Sequence, residues 1–318
     1  MNTMKAARIH AYGAADELHY EDAPRPAPAA GEVLVKVMAA GINPVDWKTR
    51  SGKGVAGRAG NPLPLIVGWD ISGVVESVGE GATAFKPGDE VFGMARFPQI
   101  GSAYAQYVAA PESDLARKPA NIDHVQAAAI PLAALTAWQG LFELANVQPG
   151  QRVLVTGATG GVGHLAVQLA KWKGAYVIGT ASTEGLEFAR SFGPDEVIDY
   201  TNGPLEASIS QPVDLVFNSV SPDTATQALA VLKEGGHLVT IAGTPDEAAA
   251  AAKSVTVSPF LVHTSGEQMQ QIADLMANGS LRVAIHQVLP LSKAAEAHRI
   301  GEAGHLRGKL VLAVEHDA

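Results

Sequence analysis

The stretch "TGATGGVGHLAVQLA", Thr156–Ala170, closes the apolar run "RVLV" and opens an amphipathic one. A strand that ends in glycines and turns straight into a helix presents backbone N–H groups, reinforced by the helix dipole, to an anion such as a pyrophosphate. Gly157 permits the tight turn, Gly160 and Gly161 let a diphosphate approach the backbone beside Val162, and Gly163 lets the helix pack close to the strand. The spacing is G-x-x-G-G-x-G, looser than G-x-G-x-x-G, so its surroundings decide the reading. Beyond it, strand-like "AYVIGT", "EVIDY", "VDLVFNSV" and "HLVTIAG" alternate with helix-like "EGLEFARSF" and "TATQALAVL". That alternation implies a parallel sheet covered on both faces, a doubly wound Rossmann domain holding a dinucleotide. An acid at the tip of the second strand would grip the ribose 2′-hydroxyl of NAD. Here the tip reads Gly179-Thr180-Ala181-Ser182-Thr183. Ser182 and Thr183 can donate to a 2′-phosphate while capping the next helix, which favours NADPH; Glu184 opposes it.

The first third has a different grammar. "EVLVKVMAAGI" sets Val33, Val35 and Val37 on alternate positions, predicting a strand with one apolar face, and "PLIVGWDISGVVESVG" and "FKPGDEVFGM" continue the β pattern with tight turns. Frequent glycine and proline suit a small barrel. At 318 residues, two domains are expected. Hydrophobic residues at 47% and charged residues at 17% are a globular balance. A net charge of −9 with no dense basic patch argues against nucleic acid and acidic membranes as partners. The longest apolar run, Ala127–Trp138, is interrupted by proline and falls short of the ~20 residues of a membrane span. The N-terminal stretch lacks the apolar core of a signal peptide, so a cytoplasmic protein is expected. There is no cysteine, hence neither a disulfide nor a cysteine-ligated metal. The ten histidines include no H-E-x-x-H pair, and His164 reads as part of the first helical turn.

Taken together, "AAGINPVDWKTRSG", "VGWDISGVVESVG", "FKPGDEVFG", "AAAIPLAALTAWQGL", "ATGGVGHLAVQLAK", "GTAST", "VIDYT" and "RGKLVL" resemble the zinc-independent medium-chain dehydrogenases/reductases, in the quinone oxidoreductase and alkenal/enone reductase branch. The resemblance implies an α/β chain: a GroES-like catalytic domain over residues 1–124, completed by 263–318, with a Rossmann domain over 125–262 and cofactor in the cleft between. Zinc-using relatives carry a cysteine where this chain has Asn43, and a histidine-glutamate pair where it has Trp69-Asp70. No metal is therefore expected.

Without a Lewis acid, quinones and C=C bonds conjugated to a carbonyl become the natural hydride acceptors, and a donor should wait for charge on the acceptor oxygen. The resemblance offers Asn43 and Lys48 as those donors, with Asp46 orienting Lys48 or the nicotinamide ribose. It places Lys48 and Thr136 against the cofactor, Tyr200 and Ser219 along the adenosine side, Ala242 and Val262 near the nicotinamide ribose, and Arg307 by a phosphate. Trp47, Trp69 and Tyr104 are possible pocket walls, though an aromatic in such a segment is more often plain core; residues 50–64 and 94–103 are the loops that shape the pocket. A homodimer is expected through "SVTVSPF", a short β-branched segment suited to a sheet edge. A short-chain dehydrogenase reading fails, because no tyrosine is followed four residues later by lysine. The other alternative is a non-catalytic NADPH-binding sensor or structural protein on the same fold.

Overall fold

The computed structural model describes residues 3–55 and 63–316; part of the 50–64 loop thus lies outside the described residues. The chain forms two compact units. One comprises Met1–Leu135, His263–Gly279 and Ile285–Ala318; the other comprises Thr136–Val262 and Ser280–Ala284. Residues 125–135, read with the second domain from sequence, lie in the first unit, and Ser280–Ala284 lies in the second.

Among its described residues the second unit has six parallel strands. Their order across the sheet is Glu196–Asp199, Tyr176–Ala181, Arg152–Val155, Val213–Asn218, Leu232–Thr240 and Thr256–Pro259. The first strand in sequence is thus central, and the order grows outward on both sides, as in a Rossmann sheet. Val153, Leu154 and Val155 are fully buried because both faces are covered. The switch in direction falls between Arg152–Val155 and Val213–Asn218, so the segments after them, the glycine turn and Ser219, share the ligand-binding edge of the sheet. Thr256–Pro259 stands last in the order, where an edge was expected. In the helix Gly163–Trp172, Leu165 and Leu169 are buried, but Trp172 is 48% exposed. It stacks on Trp138, ring centres 5.9 Å apart, instead of joining the buried side with the two leucines.

The first unit is built on the strand Glu32–Gly41. It pairs with Asp70–Val78 along one edge, and with Tyr107–Pro111 and then Lys309–Ala313 along the other. The sheet continues through Glu90–Met94 and Leu115–Arg117 at one side and Ile285–Pro290 at the other. Val33, Val35 and Val37 are buried as the alternation predicts, yet Leu34 is buried as well, because this strand is central, not half-exposed. This is the GroES-like domain. Among the described residues no helix is long and apolar enough to cross a membrane.

Candidate active site

The glycine turn is made by backbone. Gly157 has φ +68°, a conformation L side chains rarely adopt. A Cβ on Gly163 would sit 2.0 Å from the Gly157 carbonyl oxygen, so only glycine lets the helix start this close to the strand. His164, fully buried, does more than fill a helical turn. Its Nε2 accepts from the Ala284 N–H at 3.2 Å, which leaves Nδ1–H to donate to the Gly160 carbonyl at 2.8 Å. The neutral ring ties the turn to the segment Ser280–Ala284.

The ends of the strands are stapled together. Thr156 Oγ1 donates to Asn218 Oδ1 at 2.8 Å, and Asn218 Nδ2 donates to Thr240 Oγ1 at 3.0 Å. Ser219 Oγ donates to the Thr156 carbonyl, and the Ala242 N–H approaches Thr240 Oγ1 at 3.4 Å. Ser219 and Ala242 are thereby fixed at the sheet edge that carries the glycine turn. Thr136 and Val262 are both buried within the same unit. Ser182 heads the short turn Thr183–Gly185 without using its hydroxyl as a cap, and Tyr200 is 54% exposed. The tip of Tyr176–Ala181 carries no acid of its own, but the neighbouring strand brings Asp199 to it, in register with Ala181.

In the first unit the helix Pro44–Arg50 separates its polar residues. Lys48 is exposed, and its ammonium has no hydrogen-bond partner among the described residues. Arg307 is exposed in the same unit. Asn43, 1% exposed, donates its amide N–H to Asp70 Oδ2 at 2.8 Å, and its amide oxygen accepts from Lys309. Lys309 is buried, with Nζ also donating to the Ile42 carbonyl at 2.9 Å. Asp70 Oδ1 accepts the Leu132 N–H at 2.9 Å. Asp46 Oδ2 accepts from the Asn43 N–H and the Tyr104 hydroxyl, both at 2.8 Å. Behind Tyr104 the direction of each bond is set: Arg50 can only donate, so His298 Nδ1 accepts from it at 3.2 Å, and Nε2–H faces the Tyr104 oxygen at 3.0 Å. Arg50 is itself held by Glu302 at 2.6 Å.

Burial dominates the electrostatics here. It pushes Asp46 up to about 7 and Asp70 up to about 6, and pulls His298 down to about 3, helped by the Arg50 charge. The same desolvation lowers Lys309 and raises Tyr104 well above the ordinary tyrosine value. Asp70 and Asp46 act on Lys309 through their charge, while its ammonium hydrogen-bonds to the Ile42 carbonyl and the Asn43 amide oxygen. Among the described residues no group of three His, Cys, Asp or Glu side chains could hold a metal.

Three of the residues named from sequence are enclosed. Asp46 turns inward to Asn43 and Tyr104, not toward Lys48 or an outside ribose. Trp69, whose Nε1 donates to the Gln99 carbonyl at 2.6 Å, and Tyr104 are fully buried core residues, not pocket walls. Trp47 packs edge-on to His298 at 6.1 Å. Lys309, Arg50 and His298 were not singled out. The one local signal was a lysine opening the apolar strand "KLVLA".

A Rossmann sheet with a glycine turn and a GroES-like domain in one chain define a dinucleotide-dependent oxidoreductase. Family models for the alcohol dehydrogenase GroES-like domain and for zinc-binding dehydrogenases match residues 29–120 and 192–312. The chain is 36% identical to a 2-methylene-furan-3-one reductase of Solanum lycopersicum over 97% of its own length and 79% of the relative's. It matches an NADPH-dependent alkenal/one oxidoreductase of Arabidopsis thaliana, chloroplastic, with the same identity and coverage. Among solved structures, a quinone oxidoreductase from Coxiella burnetii superposes with a TM-score of 0.92 at 37% identity, covering 99% of this chain and 100% of that one. The chain belongs to the medium-chain dehydrogenase/reductase family, in its quinone oxidoreductase and alkenal/enone reductase branch.

Proposed function

We propose that the protein transfers hydride from NADPH to quinones or α,β-unsaturated carbonyls without a metal. The observation that carries this reading is the Asn43–Lys309–Asp70 cluster. Where zinc-using relatives place ligands, this chain places an amide whose oxygen accepts from Lys309 and a carboxylate that accepts from that amide and from the Leu132 N–H. Those donors do not suit zinc, whose sites use thiolate, imidazole and free carboxylate. Acceptors that delocalise the arriving charge need no Lewis acid.

The glycine turn Gly157–Gly163 fits a pyrophosphate: its tightest point is a carbonyl that any Cβ on Gly163 would strike, and its helix opens toward it. Ser182, Thr183 and Tyr200 serve the adenosine end, Ser219 the adjoining strand end, Thr136, Ala242 and Val262 the nicotinamide end, and Arg307 a phosphate. When bound, the nicotinamide supplies the hydride. Lys48 is the residue we assign to the acceptor oxygen, because it is the exposed cation of its helix, whereas Asn43 and Asp46 are enclosed and act by holding that helix in place.

The assay is NADPH oxidation with quinones and short enones, set against simple ketones. Lys48→Met should lower turnover by ~100-fold at saturating NADPH, the usual cost of one charge-stabilising donor. Unchanged turnover would remove Lys48 from the chemistry, and preferred reduction of simple ketones would overturn the acceptor class.

The edge position of Thr256–Pro259 supports a homodimer, which the mass in solution tests. A cytoplasmic placement belongs to the same proposal; relatives include proteins named as chloroplastic and mitochondrial, and cell fractionation decides the matter.

A further inference from the structure

We propose that Asp199 is a specificity-determining residue: it restrains the preference for NADPH and keeps NADH usable by the same site. The inference rests on the dinucleotide reading above. Parallel pairing sets Asp199 opposite Ala181, one residue before Ser182, so two neighbouring strands end at the same place. The Asp199 carboxylate is held by four donors. Oδ2 accepts from Thr183 Oγ1 at 2.5 Å and from Asn202 Nδ2 at 3.1 Å. Oδ1 accepts from the Thr201 N–H at 2.9 Å and from Thr201 Oγ1 at 2.6 Å. These bonds, those of Thr183 and Thr201 foremost, hold its carboxyl below the ordinary aspartate range, so it is ionised at neutral pH.

Two consequences follow for a ribose seated at Ser182 and Thr183. The single hydroxyl proton of Thr183 is committed to Asp199, so Thr183 turns lone pairs, not a donor, toward a ligand. A 2′-phosphate has only acceptor oxygens, and it meets both that lone pair and a nearby negative charge. A 2′-hydroxyl can donate, and so loses nothing. Ser182, whose hydroxyl is not spent on capping, is then the donor left for the phosphate. The second strand alone reads as a tip without an acid; the third strand returns one.

Asp199→Asn is the informative variant. Asparagine keeps the oxygen that caps the Thr201 N–H, so the turn is preserved, while the charge is lost. Dissociation constants for NADPH and NADH are measured by nucleotide fluorescence on the intact protein, alongside the thermal midpoint. The NADPH-over-NADH ratio should rise about fivefold in the variant, the scale of one exposed charge, with the midpoint unchanged. Added salt should raise the ratio less in Asp199→Asn than in the parent, because the screened repulsion is gone. Thr183→Val, which leaves the carboxylate in place, should move the ratio less than Asp199→Asn. An unchanged ratio, or one that moves toward NADH, in a variant of unaltered midpoint would overturn the proposal. A parent that binds neither nucleotide would overturn the dinucleotide reading, and this inference with it.

Discussion

The glycine turn at 157–163 and the polar cluster beneath the helix Pro44–Arg50 are built on opposite principles. The turn is contiguous in sequence, and its shape is enforced by what is missing: a Cβ at Gly163 and a negative φ at Gly157. The cluster gathers Asn43, Asp46, Asp70, Tyr104, His298 and Lys309, up to 266 residues apart, and it is enforced by charge balance. A site of the first kind tolerates a change in side-chain chemistry but not in volume. One of the second kind tolerates volume but not the loss of one charge or one donor.

The largest effect that tests this contrast is expected at Lys309. Lys309→Met keeps much of the side chain's bulk but removes a buried positive charge that acts on Asp46 and Asp70 and leaves the Asn43 amide oxygen without its donor, so it should destabilise the fold by ~3–5 kcal/mol. Adding Asp70→Asn should recover a good part of that loss, since the charges then leave together. Chemical denaturation of the single and double variants measures both; a single variant as stable as the parent would break the picture of a charge-balanced cluster. Gly163→Ala comes next. Its methyl would meet the Gly157 carbonyl, and over-packing of this kind costs ~1–3 kcal/mol. The loss should appear as weakened NADPH binding together with a lower midpoint, and a variant that binds NADPH as the parent does would show that the turn has slack.

The smallest effect is the pH dependence, because contributions in the cluster partly cancel. Asp46 and Asp70, raised to about 7 and about 6 in the fold, bind more protons folded than unfolded, so their contribution to stability falls as pH rises from about 4 through 7. His298, lowered to about 3, does the reverse between about 3 and 6.5. Asp46→Asn removes one falling contribution and keeps the rising one. Its thermal midpoint should therefore gain on the parent's between pH 4 and 7. A constant difference across that window would mean that Asp46 is ionised throughout.

The same contrast explains what reading the chain achieved. The central strand, the glycine turn, the helix after it and the alternating units were legible because apolar periodicity and backbone geometry are local properties. Trp172, at the end of that helix, is less legible: it is half exposed and meets Trp138 and Phe142, not the buried side that Leu165 and Leu169 share. The inward orientation of Asp46, Trp69 and Tyr104 was not legible, because sequence shows residue type and spacing, not the direction in which a side chain leaves the backbone.

What the sequence by itself determined is the pair of domains, the dinucleotide turn, the absence of thiolate ligands and the family. Each follows from residue identity or short-range pattern. Only the tertiary structure decided that Lys309 is the cation beside Asn43, that His298 is the Nε2–H tautomer between Arg50 and Tyr104, and that Asp199 answers to Thr183. Each of these depends on which strands become neighbours. That choice is made by burial of the whole core, and it brings together groups that no local pattern links.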